Sequence, residues 1–273
     1  MCSLGVNQQG FILREVSRDK NPESLTRSIF EVTDVLLNCL GDDIHSLYLY
    51  GSTVSGKFVT NQSDLDILLI YQELSEKRVL GQGPQIAKSL SQTFKKVFTD
   101  VDILGTSLTE AVSPKNIYGW GCFIKILCVN IYGPDLVQQF PNFQPDTRVA
   151  QGFNGDIGVF LRQRLKQLEV LEAEQEQKIQ KICKSSMKKL IRTRFSLVMP
   201  LERCWVTELE DCVRIFLKYY PEQQLHISSI FELVKNPSSN KAEVIELIDN
   251  FGQWLINEFH QKINGSESNI APH

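Results

Sequence analysis

The sequence predicts an α+β domain, a small mixed sheet with helices, over residues 1–150, followed by an all-α helical bundle over residues 151–263. Short apolar runs of strand length alternate with amphipathic helical stretches in the first part. In the second part, apolar residues recur only with the helical period. A chain of 273 residues is long enough for two modest domains. The polar residues 264–273 predict a disordered tail.

The first part contains helices and strands in alternation. Residues 24–40 have the apolar spacing of an amphipathic helix, and strands are expected at 47–50 and 65–71. Pro84 is expected to open a second helix, because proline is favoured at the first helical position. A third strand is expected at 97–104. This order predicts a small mixed sheet with helices on one face.

The second part contains several apolar stripes with the spacing of helices. They cover residues 161–171, 179–194 and 244–259. Thr207 and Glu210 have the spacing of a capping box, which predicts another helix start. These stripes predict helices that bury one face each against their neighbours.

The segment 47–70 contains candidate catalytic residues. Its sequence is LYLYGSTVSGKFVTNQSDLDILLI. An apolar strand leads into Gly51 and Ser52, and Asp64 and Asp66 follow after eleven intervening residues. Residues two apart in a strand point to the same face, so the two carboxylates project together. Carboxylates this close repel each other unless a cation lies between them. The pattern therefore predicts a divalent metal site.

The residues before the aspartate pair suit a phosphate group. Gly51 allows the backbone to approach a phosphate closely. Ser52 offers a hydroxyl and a backbone N–H at the start of a short helix. Magnesium is often held by one or two carboxylates together with substrate phosphates. Two such ions, about 4 Å apart, stabilise the attacking and leaving oxygens of an in-line displacement.

A third carboxylate is needed to complete such a metal site and to deprotonate an incoming hydroxyl. The segment 96–104, KVFTDVDIL, offers Asp100 and Asp102 on one face of the expected strand. The strand pattern alone leaves both residues open.

The segments 47–70 and 96–104 resemble the signature of the nucleotidyltransferase superfamily, which includes DNA polymerase beta and the aminoglycoside nucleotidyltransferases. The resemblance implies magnesium-dependent transfer of a nucleoside monophosphate, with AMP from ATP favoured, to an acceptor hydroxyl. Asp64 and Asp66 would hold two Mg²⁺ ions. The superfamily places its third acid between apolar residues, which favours Asp102 over Asp100 as metal ligand and base. In related families a helical domain forms the acceptor side.

The sequence departs from the superfamily pattern at one position. Many relatives read GS-x-A-R-G, whereas Ser55 occupies the place of the arginine here and is followed by Gly56 and Lys57. Lys57 can supply a positive charge, but as a point charge rather than as a planar fork. Gly51, Ser52, Ser55 and Lys57 are therefore the candidate triphosphate-binding residues.

The segment fits two other interpretations less well. Residues 51–57, GSTVSGK, nearly match a P-loop, but Phe58 follows and cannot supply the hydroxyl that a P-loop places on magnesium. Only five residues separate Phe58 from Asp64, too few for the helix that follows a P-loop. A surface turn with two solvated aspartates does not explain the apolar strand that begins between them.

Composition restricts the functional classes. The net charge of −3 gives no overall attraction to nucleic acid, so a nucleic-acid partner is not favoured. Seven cysteines without a CxxC pair indicate reduced thiols. No apolar run approaches the roughly 20 residues of a membrane span, and the start of the chain does not resemble a signal peptide. A cytoplasmic enzyme is expected.

Two other functions are compatible with the sequence. The fold can serve as an inactive, antitoxin-like module acting through a protein partner, or as an RNA-end nucleotidyltransferase. A cluster of basic residues in the second part is expected to be a solvated helix face rather than an RNA-binding surface: Lys184, Lys188, Lys189, Arg192 and Arg194. The motif does not distinguish among hydroxyl acceptors.

Overall fold

The computed structural model describes residues 4–17, 19 and 21–264. The chain forms two compact units. One is continuous, from Leu13 to Asn142. The other combines the amino-terminal segment, up to Ile12, with the chain from Phe143 onward.

The first unit is α+β. Its strands and helices, in chain order, are α1 (Glu23–Leu40), β1 (Ile44–Tyr50), α2 (Ser52–Ser55), β2 (Leu65–Tyr71), α3 (Glu76–Thr93), β3 (Val101–Ser107), α4 (Leu108–Val112), α5 (Cys122–Leu127) and β4 (Val129–Tyr132). Short 3₁₀ turns lie at Gly41–Asp43, Glu73–Ser75, Pro114–Asn116 and Val137–Gln139, and a π-helical turn at Ile117–Gly121.

The four strands form one mixed sheet in the order β3-β2-β1-β4. Strand β1 pairs antiparallel with both β2 and β4, whereas β2 pairs parallel with β3. Leu49 lies opposite Ile67, and Leu65 lies beside Val101, so apolar side chains align across the sheet. This arrangement confirms the predicted α+β class with a small mixed sheet.

The main core of this unit lies between one face of the sheet and helices α1 and α3. Alternate strand residues such as Leu47, Leu49 and Ile67 are almost completely buried. Leu36 of α1 and Leu90 of α3 belong to the same cluster. Removing this apolar surface from water is the main force that holds the helices on the sheet.

The opposite face of the sheet is also buried, so the prediction of helices on one face is wrong. Tyr48, Leu68 and Ile70 point to that side and are fully buried. Helix α4 contacts β2 and β3 there, and the Tyr50 ring meets Phe123 of α5 edge-on, with ring centroids 5.1 Å apart. A strand buried on both faces has a nearly continuous apolar run, as β2 does.

Three predicted element boundaries in this unit are also wrong. Strand β1 begins at Ile44 rather than at 47. Helix α3 begins at Glu76, so Pro84 lies inside it rather than at its start. Val79 and Leu90 are both buried, and this packing on either side of the proline holds the helix together. Strand β3 begins at Val101 rather than at 97, because the buried Phe98 ends a tight turn in which its N–H donates to the Phe94 carbonyl.

The second unit is helical, as predicted. Its helices are α6 (Thr147–Asn154), α7 (Ile157–Glu169), α8 (Glu176–Glu202), α9 (Leu209–Leu217), α10 (Gln224–Lys235) and α11 (Lys241–Phe259), with a 3₁₀ turn at Pro221–Gln223 and a π-helical turn at His260–Asn264. Helix α8 is central, because it contacts α6, α7, α9, α10 and α11. The predicted tail lies outside the described residues from position 265 onward.

The predicted capping box is not formed. Helix α9 begins at Leu209, its N-cap residue is Glu208, and no side chain caps it. Thr207 is exposed and lies one position too early to serve as the cap. The short α9 is held instead by its buried face, which includes Cys212 and Phe216.

The amino-terminal segment is bonded to the helical unit through its backbone. The Ile12 N–H donates to the Phe143 carbonyl at 2.8 Å, and the Trp205 N–H donates to the Leu4 carbonyl at 2.9 Å. The domain boundary predicted at residue 150 falls within helix α6.

Over the residues that the structure describes, no helix has the length and apolar character needed to cross a membrane.

Candidate active site

Three adjacent strands place a row of polar side chains on one face of the sheet. Tyr50 of β1 lies opposite Asp66 of β2, and Asp66 lies beside Asp102 of β3. Paired residues on neighbouring strands project to the same face, and neighbouring strands are about 4.8 Å apart. The two carboxylates are therefore neighbours, although 35 residues lie between Asp66 and Asp102 in the sequence. All three side chains are only partly buried.

Gly51 forms a tight turn directly against Asp66. Its φ is +72° and its ψ is −143°, a conformation that side-chain-bearing residues rarely adopt. A Cβ atom added at Gly51 would collide with the Asp66 carboxylate. Position 51 therefore requires glycine for two reasons, and the turn brings the backbone of residue 51 into contact with the aspartate.

The next residues form a short, well-anchored turn. Helix α2 has only four residues, and it ends at Gly56, which has φ +77°. Thr53 and Val54 are buried, and the Thr53 hydroxyl donates to the Tyr50 carbonyl at 3.1 Å. The turn is thus fixed to the end of β1, beside Asp66.

The predicted phosphate-binding residues lie along this turn. Ser52 begins α2, and the Ser55 hydroxyl donates to the Ser52 carbonyl at 3.4 Å. Lys57 is exposed and its N–H donates to the Ser52 carbonyl. After Lys57 the chain runs through turns to Leu65 without a helix, which excludes a P-loop.

Asp64 has a different environment from Asp66. It precedes the first residue of β2 and accepts a hydrogen bond from the Thr99 hydroxyl. The Thr99 N–H in turn donates to the Ser63 carbonyl at 3.1 Å, so the two chain segments are tied together here. The structure brings Asp66 and Asp102 side by side and holds Asp64 toward Thr99.

Asp100 and Asp102 also differ in environment. Asp100 lies before β3, and its carboxylate accepts hydrogen bonds from the Ser91 hydroxyl at 2.5 Å and from the Val101 N–H at 3.0 Å. Asp102 is within β3, in register with Asp66. Asp100 thus links β3 to helix α3, whereas Asp102 belongs to the row with Asp66.

Tyr50 is a candidate site residue that the sequence prediction did not include. Burial raises the pKa of its phenol, and the nearby Asp66 and Asp102 carboxylates raise this pKa further. Tyr50 therefore stays protonated and can act as a hydrogen-bond donor near both acids. Its place in the row depends on strand pairing, so the sequence showed only that it precedes Gly51.

The carboxylates of the site are of the type that binds a magnesium ion. Among residues 4–17, 19 and 21–264, no three His, Cys, Asp or Glu side chains lie close enough to hold a metal ion. Two carboxylates with substrate phosphates are, however, a common ligand set for Mg²⁺. Asp66 and Asp102 supply such a pair, and Asp64 would have to turn away from Thr99 to join it.

The predicted basic cluster on α8 is not one solvated face. Arg194 is buried, and its guanidinium donates to the Phe251 carbonyl at 3.1 Å. Lys189 donates to the Phe153 carbonyl and forms an ion pair of 2.7 Å with Asp156. These two cations bind groups of the helical unit itself.

Comparison with known proteins found likeness only among solved structures. No protein-family model and no curated protein matches the chain significantly. Among solved structures, it is similar to spectinomycin adenyltransferase AAD(9) from Enterococcus faecialis, crystallised with ATP and spectinomycin. The TM-score is 0.49 and the sequence identity 13%, over 86% of this chain and 98% of that chain.

Proposed function

We propose that the protein is a magnesium-dependent nucleotidyltransferase. It would transfer a nucleoside monophosphate, with AMP from ATP favoured, to an acceptor hydroxyl and release pyrophosphate. The observation that supports this most is the placement of Asp66 beside Asp102 on paired strands, with the Gly51 turn packed against Asp66.

The reaction is an in-line displacement at the α-phosphorus. The acceptor oxygen forms a bond to phosphorus while the bond from phosphorus to the bridging oxygen breaks. Pyrophosphate leaves with that electron pair, and the hydroxyl proton passes to a base. Asp102 is the proposed base, because its carboxylate is partly exposed and lies beside Asp66.

The other site residues bind and orient the triphosphate. The Gly51–Ser52 turn offers backbone approach and a hydroxyl to the phosphates, and Lys57 offers a positive charge. Asp66, Asp102 and Asp64 would hold Mg²⁺, which neutralises charge on the phosphates and on the leaving oxygen when bound. Tyr50 would offer a neutral hydrogen-bond donor close to the two carboxylates.

The direct test is binding of magnesium and ATP to the double variant Asp64→Asn/Asp66→Asn. Calorimetry should show ATP binding to the unchanged protein with magnesium and not with EDTA. In the variant this binding should weaken by at least about tenfold, because charged ligands are lost. Asp42→Asn, at an exposed position outside the site, is the matched control and should bind as the unchanged protein does.

Equal ATP binding by the double variant, with unchanged circular dichroism, would overturn the assignment of these aspartates. CTP, GTP and UTP in the same experiment report the base preference. If the protein prefers CTP, GTP or UTP, the proposed reaction stands, but the transferred group is the corresponding monophosphate rather than AMP.

An inactive module acting through a protein partner is the second candidate. The observation that favours it is that Asp64 is held by Thr99 and that the described residues contain no three-ligand metal cluster. A folded protein that binds no triphosphate, and that copurifies with a stoichiometric partner, would support this candidate over the enzyme.

A further inference from the structure

An open groove lies between helix α3 and strand β3, which is the edge strand of the sheet. Its volume is about 490 Å³, within the range of small-molecule sites. Residues of α3 and of the turn after it line the groove with helical spacing, namely Pro84, Ala87, Lys88, Ser91, Gln92 and Lys95. The small side chains of Ala87 and Ser91 leave room between the longer ones.

Two positive charges flank these small residues. Lys88 of α3 and Lys95, just beyond the end of that helix, both line the groove and are exposed. Neither has a hydrogen-bond or ion-pair partner within the described part of the chain. Their ammonium groups are therefore available to a ligand that enters the groove.

Two acidic residues also line the groove. Asp100 accepts hydrogen bonds from the Ser91 hydroxyl and the Val101 N–H. Asp102 also lines the groove and is the base of the proposed reaction. The groove thus extends from these two lysines to the edge strand that carries Asp102.

We propose that this groove binds the acceptor, and that the acceptor is a small molecule bearing a phosphate group. Lys88 and Lys95 bind the phosphate, since ammonium groups form strong charge-assisted hydrogen bonds with phosphate oxygens. A hydroxyl of the same molecule then lies near Asp102. The role of the bound molecule as acceptor rests on the proposed transferase function. Phosphate binding by the two lysines rests on the groove alone.

The test is a titration of the full chain with inorganic phosphate, monitored by nuclear magnetic resonance. Phosphate should shift the backbone amides of residues 87–95 in the unchanged protein. The double variant Lys88→Gln/Lys95→Gln should bind phosphate at least about tenfold more weakly, because two charged hydrogen-bond donors are lost. Lys96→Gln is the matched control: Lys96 is equally exposed and adjacent, but does not line the groove. Its phosphate affinity should stay within about twofold of the unchanged value.

A second arm separates the acceptor phosphate from the triphosphate of the donor. Binding of magnesium and ATP to Lys88→Gln/Lys95→Gln should remain within about twofold of the unchanged value. A parallel loss of ATP binding would show that the lysines hold the triphosphate, which overturns the proposal. Unchanged phosphate binding in the double variant, or an equal loss in Lys96→Gln, would also overturn it.

The anion site and the transferase function can fail separately. Asp64→Asn/Asp66→Asn should lose ATP binding and keep lysine-dependent phosphate binding. If the unchanged protein binds phosphate through the lysines but binds no triphosphate, the anion site stands and the transferase function fails. If it binds ATP but phosphate shifts no groove amide, the transferase function stands and the acceptor site fails.

Discussion

Asp100 and Asp102 show how strongly the surroundings of a carboxylate decide its use. They are two positions apart and equal in type, and a strand pattern would place both on one face. In the structure Asp100 precedes the strand and is hydrogen-bonded to Ser91 and to the Val101 N–H, whereas Asp102 pairs in register with Asp66. Asp100 therefore has a structural role, whereas Asp102 is the proposed base.

Single substitutions at these two residues should therefore have different effects. Asp102→Asn should lower the rate of nucleotidyl transfer by at least about a hundredfold, because it removes the base. Asp100→Asn should retain most of the rate but lower the free energy of unfolding by about 1 kcal/mol, because it weakens the hydrogen bonds to Ser91 and Val101. Pyrophosphate release and urea denaturation measure the two quantities.

The reverse result would assign the base to Asp100. Losses of similar size in both quantities for both variants would mean that the two residues share one role. Circular dichroism of each variant shows whether a lost rate reflects loss of the fold.

At the scale of single elements, helix α8 combines length with an unusual buried charge. The Arg194 side chain is buried, and its Nε has no hydrogen-bond partner within the described residues. Its Cζ lies 5.5 Å from the centroid of the Trp254 ring. Burial lowers the pKa of its guanidinium to about 10. Burying a charge without an opposite charge is unfavourable.

Arg194→Met should therefore stabilise the protein. An apolar side chain of similar length removes the buried charge and keeps most of the packing, so the free energy of unfolding should rise by about 1 kcal/mol. Arg192→Met, on the exposed side of the same helix, should change it by less than about 0.5 kcal/mol. A fall in the melting temperature of Arg194→Met would show that the contacts to Phe251 and Trp254 outweigh the desolvation.

Elements with a strong local pattern were predicted from the sequence more successfully than their ends. Strand β2 and helix α1 followed from apolar periodicity. The start of α3 did not, because packing of Val79 and Leu90 outweighs the local effect of Pro84. The aspartates and Gly51 were recognisable from their spacing, whereas Tyr50 and the groove lysines depend on strand order and on helix orientation, which no local pattern encodes.

At the scale of the whole molecule, the helical unit is built from two separate pieces of chain. Val6 and Ile12 are buried, and Leu4 and Ile12 form backbone hydrogen bonds to Trp205 and Phe143. Because these contacts join residues far apart in sequence, a boundary predicted from the change in apolar periodicity assigns the amino-terminal segment to the first domain.

Deletion of residues 1–12 should weaken the helical unit selectively. Loss of two buried aliphatic side chains should lower its free energy of unfolding by about 3 kcal/mol. In hydrogen exchange, the Trp205 amide should lose protection because its acceptor, the Leu4 carbonyl, is absent. The Leu65 amide, bonded to the Asp100 carbonyl in the other unit, should keep its protection. Equal protection of Trp205 in both proteins would contradict this role of the segment.

The two-piece helical unit also imposes an order on folding during synthesis. All residues of the α+β unit have left the ribosome once Asn142 has emerged, so that unit can fold while the rest of the chain is still being made. Leu4 and Ile12 have no such opportunity, because their partners Trp205 and Phe143 are translated after them. Residues translated before the α+β unit can therefore reach these native contacts only after that unit has been made.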